Sequence, residues 1–160
     1  RTRADRFLGS AEFETIAEIV AAVDLPVYAN GDIASPERAA EVLRATGAAG
    51  VMIGRAAQGR PWLCGQIAHF IEHGERLPEP DVEARGALLR EHVAALHAFH
   101  GAQRGLRIAR KHVGWAVADL TVGEAARRAF TQRFNALEAP EAQLDAIDAF
   151  FITTPRAHAA

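Results

Sequence analysis

Two short stretches decide how this chain is read: Val27-Tyr28-Ala29-Asn30-Gly31-Asp32 and Val51-Met52-Ile53-Gly54-Arg55. Each is an apolar triplet closed by residues that turn the chain, and both triplets are apolar on both faces. Between them, Ser35-Pro36 announces a helix. The serine hydroxyl suits the unpaired N–H groups of a first turn, and proline fits there because its missing N–H costs no hydrogen bond. Ala39, Val42 and Leu43 give that helix an apolar side, and Gly47 offers a left-handed stop. Strand, helix and strand in this order predict a parallel βαβ unit, because a parallel return needs a crossover of this length.

Upstream, Ile16, Ile19, Val20 and Val23 form a helical stripe over 13–23. Downstream, Pro61 opens a helix with Leu63, Ile67, Phe70 and Ile71 inward and Gly74 at its end. Two parallel strands leave unpaired edges, so the rest of the sheet is expected on chain preceding Arg1. A first residue of Arg rather than Met also reads as a fragment of something longer. Glu75-Arg76-Leu77-Pro78-Glu79-Pro80 is a two-proline linker, which divides the chain into predicted domains 1–80 and 81–152. The second is predicted to be all helix, over 82–99, 103–120, 124–137 and 141–152. Its stripes are Leu89, Val93, Leu96 and Phe99; Ala126, Phe130, Phe134 and Leu137; and Leu144, Ile147 and Phe151. Short connections imply a small helical bundle. Residues 153–160 are predicted to be a disordered tail. The fold class is therefore α/β followed by all-α.

The 160 residues are 49% hydrophobic and 24% charged, ordinary for a globular protein. No apolar run approaches the ~18 residues of a membrane span. The single cysteine, Cys64, excludes a disulfide framework and fits a reducing cytoplasm. It lies in a predicted helix without an evident base, so a buried structural thiol is expected rather than a nucleophile. His69/His73 and His97/His100 have helical spacing that suits pairs of metal ligands, but no third ligand joins either pair, and no metal is expected.

Asn30-Gly31-Asp32 follows a strand and precedes a capped helix, the place where α/β enzymes bind ligands. Gly31 lets backbone approach a ligand, while the amide and carboxylate supply directional hydrogen bonds. Gly54-Arg55-Ala56-Ala57 repeats the arrangement one strand later, and Arg55 adds a planar donor fork suited to phosphate. On spacing alone, a hairpin or a βα turn without a ligand stays open for the first, and a surface arginine after a structural glycine for the second. The net charge of −2 hides a basic zone: residues 101–135 carry seven cations against two acids. Arg104, Arg107, Arg110 and Lys111 fall within about 120° of one another on the helix from Gln103, with Trp115 alongside. Such a face suits a phosphate backbone, and a solvated face is the alternative.

With Asn30-Gly31-Asp32, the run Gly54-Arg55-Ala56-Ala57-Gln58-Gly59-Arg60-Pro61-Trp62 and Arg107-Ile108-Ala109-Arg110-Lys111-His112 in view, the chain resembles the tRNA-dihydrouridine synthases. It is most similar to their bacterial B-type branch, from Arg1-Thr2-Arg3 to about Phe151. The resemblance implies the last strands of an FMN-binding (β/α)₈ TIM barrel followed by a helical tRNA-binding domain. It also implies NADPH as reductant, tRNA as partner and the reduction of uridine to 5,6-dihydrouridine. Carried over by position, Asn30, Gly31 and Asp32 border the FMN, and Gly54 with Arg55 holds its phosphate. Arg104, Arg107, Arg110 and Lys111 belong to the tRNA-binding domain. The cysteine that donates the proton would lie upstream, and Cys64 does not match it, so no residue of this chain is expected to be catalytic. A further departure is Trp115-Ala116, where the family often has Trp-Tyr. The full-length protein is expected to be a cytoplasmic monomer, and the chain alone inactive. A non-catalytic RNA-binding module and another FMN-dependent barrel oxidoreductase are the competing readings.

Overall fold

The computed structural model describes residues 9–153. Arg1-Thr2-Arg3 and residues 154–160 of the expected tail lie outside that range. Among the described residues are seven α-helices and one two-stranded parallel sheet, and the chain divides into two compact units after Pro78.

The first unit runs α1 (Phe13–Ala22), β1 (Tyr28–Asn30), α2 (Pro36–Thr46), β2 (Gly50–Met52), a 3₁₀ turn (Arg55–Ala57) and α3 (Leu63–His73). The strands pair in parallel, with Tyr28 opposite Gly50, Ala29 opposite Val51 and Asn30 opposite Met52. Between them α2 is the crossover. Ser35 Oγ accepts from the Arg38 N–H at 3.2 Å, Pro36 fills the first turn and Gly47 (φ +68°) ends the helix. Ala29, Ile33, Ala39, Val42, Leu63 and Ile67 form the core.

Both strands are displaced by one residue from the predicted triplets. Asn30 closes β1 opposite Met52, and its side-chain amide donates to the Met52 carbonyl, tying the two strand ends together. The apolar-on-both-faces pattern does not translate into two buried faces. Ala29 is fully buried, while Tyr28 and Met52, pointing the other way, are exposed. Within this chain the helices cover one face of the sheet. Ile19, Val23 and Ile71 are likewise exposed although their stripes read as inward. α1 packs chiefly on α2, and one neighbour covers only part of an apolar stripe.

The second unit comprises α4 (Val82–His100), α5 (Ala102–Ala118), α6 (Glu124–Asn135) and α7 (Pro140–Thr153). Asp81 caps α4, its carboxylate accepting from the Ala84 N–H at 2.8 Å. Leu89 and Val93 of α4, Ala109, Val113 and Val117 of α5, Phe130 and Phe134 of α6, and Ile147 and Phe151 of α7 share one core. Fully buried Gln143 ties three of the helices. Its Oε1 pairs with His97 Nε2 at 2.9 Å and its Nε2 donates to the Leu106 carbonyl at 3.4 Å.

At Gly105, α4 and α5 come very close: a Cβ there would lie 2.9 Å from the His97 Cα. This crossing corrects one predicted stripe. α5 lies against the side of α4 that carries Val93, Leu96 and His97, and Phe99 is turned outward, 85% exposed. Ala126 is also exposed, since α6 buries only Phe130 and Phe134. Thr153, assigned in sequence to the tail, is the last residue of α7.

Candidate phosphate-binding strand ends and a basic helix face

The C-terminal ends of β1 and β2 lie side by side, and their loops meet. Gly31 (φ +133°) turns the chain at the end of β1, where a Cβ would lie 2.5 Å from the Ala11 Cβ. Only glycine fits that approach. Asp32 follows in the left-handed region (φ +48°), which Asp enters more readily than most side chains. Here Oδ2 accepts from the Ala11 N–H at 2.8 Å. Its other oxygen faces the Arg55 guanidinium, Nη2 to Oδ1 3.8 Å, with the Arg55 side chain 58% exposed. Gly54, at the end of β2, has nothing within 4 Å of where a Cβ would stand, so its backbone is open to approach. Of the five residues read as a cofactor rim, Asp32 and Arg55 are therefore in direct electrostatic contact. Asn30 spends its amide on the Met52 carbonyl at 2.9 Å. The part played by Ala11 left no trace in the motif, because that contact spans 21 residues.

The basic face lies on α5. Arg104, Arg107 and Lys111 are exposed, and Lys111 Nζ sits 4.9 Å from the centre of the Trp115 ring. Arg110 departs from the expected stripe. It is half-buried, and its Nε is buried without a hydrogen-bond partner. Among the described residues, none of the four is ion-paired to a carboxylate, whereas Arg85, Arg90 and Arg128 all are. Arg127, counted in the basic zone, instead donates to the Ala118 carbonyl at 2.8 Å and so caps the end of α5. Beside it, an open groove of about 670 Å³ is lined by Val117, Arg127, Arg128, Gln132 and Asn135 among others.

The histidines pair differently from their spacing. His69 and His73 do stack at 4.4 Å, but His97 is engaged by Gln143, and no group of three or more His, Cys, Asp or Glu side chains gathers among the described residues. A further histidine pair, His92 on α4 and His112 on α5, is in hydrogen-bond contact, Nε2 to Nδ1 2.9 Å. Sequence spacing missed it because the two are 20 residues apart; only their near-symmetrical placement about the turn at Gly101 hints at it. The His112 imidazole is held below its ordinary pKa, first by burial and then by the neighbouring His92 and Lys111 charges. Cys64 is exposed, not buried as expected, since α3 turns Leu63, Gln66 and Ile67 inward instead.

Residues 1–152 match the family model described as dihydrouridine synthase (Dus). The chain is 53% identical over 151 residues to tRNA-dihydrouridine synthase B of Pseudomonas putida, covering 94% of this chain and 44% of that protein. It is 50% identical to the protein of that name from Xanthomonas axonopodis pv. citri, covering 98% of this chain and 47% of the relative. With the Vibrio cholerae protein it shares 48% identity, at 94% and 46% coverage. The chain thus spans a little under half the length of these relatives. A match over nearly every residue, through both strand ends and the basic helix, identifies the family: this chain belongs to the dihydrouridine synthases.

Proposed function

We propose that the complete protein carrying this chain reduces uridine in tRNA to 5,6-dihydrouridine, with FMN as cofactor and NADPH as reductant. In this reading residues 1–80 are the last part of an FMN-binding (β/α)₈ barrel, and residues 81–152 are a small helical bundle that holds the tRNA. The activity is that of a monomer in the cytoplasm; no described helix is long and apolar enough to cross a membrane.

The strand ends suit the phosphate of FMN. Gly54 leaves the backbone open, Arg55 presents a guanidinium, and Asp32, anchored by the Ala11 N–H, steers that guanidinium without enclosing it. Asn30 and Gly31 shape the neighbouring rim. FMN, when bound, supplies the hydride that adds to one carbon of the uracil C5–C6 double bond. This chain's contribution is to hold and orient: Arg55 grips an anionic group, and the α5 face positions the RNA.

The observation that carries the RNA half is that, among the described residues, no acid pairs with Arg104, Arg107, Arg110 or Lys111. Cations left unpaired on one helix are what a polyphosphate chain neutralises. The test is purified full-length protein with NADPH and unmodified tRNA, read by mass spectrometry. A mass gain of two hydrogens on a uridine is expected; its absence with flavin bound overturns the reading. A variant with Arg107, Arg110 and Lys111 all changed to Ala should bind tRNA more weakly, with a log–log salt slope flatter by roughly 2–3. An unchanged slope removes the basic face from the site.

A further inference from the structure

Phe99 is 85% exposed on the last turn of α4. Its exposure is not fraying. α4 and α5 cross at van der Waals contact through Gly105, and the Gly105 N–H donates to the Gly101 carbonyl at 2.8 Å just beyond Phe99. Nor does the linker end of the unit reach it. From Val82 to Phe99 the helix rises about 1.5 Å per residue, so Phe99 stands roughly 25 Å along α4 from its start. The Phe99 ring meets the His100 ring edge-on, centres 4.8 Å apart, and otherwise faces solvent; a lone exposed ring is ordinary, so its surroundings decide whether it has a ligand.

The surroundings say which. His92 lies seven residues before Phe99, two helical turns away on the same side of α4. It contacts His112, with ring centres 4.8 Å apart; His112 contacts Trp115 at 5.2 Å; and the Trp115 ring carries Lys111 Nζ at 4.9 Å. A row of three rings, His92, His112 and Trp115, therefore runs from α4 to the cations of α5, and Phe99 stands about 10 Å further along the same side of α4 from its near end. Flat rings beside cations without acidic partners match the chemistry of single-stranded nucleic acid, whose bases stack while its phosphates are neutralised. A second protein copy would gain from Phe99 but not from the surplus of charge.

Resting on the RNA reading above, we propose that Phe99 is a stacking platform for an unpaired RNA base. The RNA contact zone then crosses from α5 onto α4 through His112 and His92. Stacking is insensitive to salt and phosphate contact is not, which separates the two roles.

The experiment measures tRNA affinity of the full-length protein across a salt series for the parent, Phe99→Ala, Phe99→Trp and Arg107→Ala. Phe99→Ala should weaken binding roughly 5- to 150-fold with the salt slope unchanged. Arg107→Ala should flatten the slope by about 1. Phe99→Trp should bind like the parent, and its added fluorescence should be quenched by tRNA. The inference falls if Phe99→Ala binds as the parent does, or if the added fluorescence of Phe99→Trp ignores tRNA while sedimentation shows a dimer that Phe99→Ala dissolves. In either case the salt-dependent binding of the parent stands, and with it the proposed function. If the parent's binding has no salt dependence and Arg107→Ala is silent, the RNA reading beneath both is what has failed.

Discussion

Arg55 and Asp32 sit 3.8 Å apart, each at the end of its own strand, and their contact sets what the strand ends can hold. A guanidinium is a planar fork of N–H donors, and the Asp32 carboxylate beside it orients that fork at the strand ends. Arg55→Ala in the full-length protein should therefore lower FMN affinity about 10- to 150-fold, from the loss of about 1.5–3 kcal/mol. The flavin-to-protein ratio after dialysis reads this directly, and undiminished occupancy would remove Arg55 from the phosphate site. Gly31 plays a different kind of part, letting the chain pack against Ala11. Gly31→Ala forces both a left-handed conformation and a collision with Ala11, and should destabilise the full-length protein by roughly 1–3 kcal/mol. The denaturant midpoint is the check; an unshifted midpoint means the 9–12 segment gives way freely.

Among the elements, the α4–α5 pair carries the most consequence, since its close crossing positions both the Gln143 network and the two-histidine contact. At 2.9 Å one ring nitrogen of the His92–His112 pair must donate and the other accept, so full protonation breaks the bond and sets two cations face to face. Burial first, and then the His92 and Lys111 charges, make the folded state disfavour the charged form of His112, whose pKa is lowered. Below about pH 6.5 the unfolded chain takes up a proton there that the folded chain resists. Stability should accordingly be full above that pH and decline as pH falls from it towards the folded-state value. Urea midpoints measured between about pH 7.5 and 5.5 should fall for the parent and fall less for His112→Gln. Equal slopes would show that His112 titrates independently of folding.

At the scale of the molecule, the two units differ in self-sufficiency. The second buries aromatic and branched side chains from all four helices in one core, including the stacked Phe130 and Phe150 with ring centres 4.0 Å apart. Among the described residues the first buries six apolar side chains, two of them alanines, and leaves Leu25, Tyr28 and Met52 exposed. Residues 79–153 expressed alone should thus unfold cooperatively, though marginally for their size, and residues 1–78 should not. Thermal denaturation followed by circular dichroism distinguishes them; a cooperative transition from 1–78 would mean that two strands and three helices suffice.

Much of this was legible in the residues themselves, where the cause is local. Ser35-Pro36 starts a helix and Gly47 stops it because capping geometry involves neighbours in sequence. The order strand–helix–strand requires a parallel pair, and the 3.6-residue period finds the helices of the second unit to within a few residues. The Gly54-Arg55 and Asn30-Gly31-Asp32 turns were visible for the same reason, each being a strand end with a helix following. What only the tertiary structure decided is what lies across from what. A helical stripe does not say how many neighbours will cover it, so Ile19, Val23 and Ile71 read as core and are exposed. Phe99 reads as core by period, yet faces water because the α4–α5 crossing at Gly105 selects the other side of the helix. The Ala11–Asp32 bond, the Asp32–Arg55 pair and the His92–His112 contact join residues 20 or more apart. Periodicity has no term for such meetings, because they depend on the angle and distance at which whole elements pack.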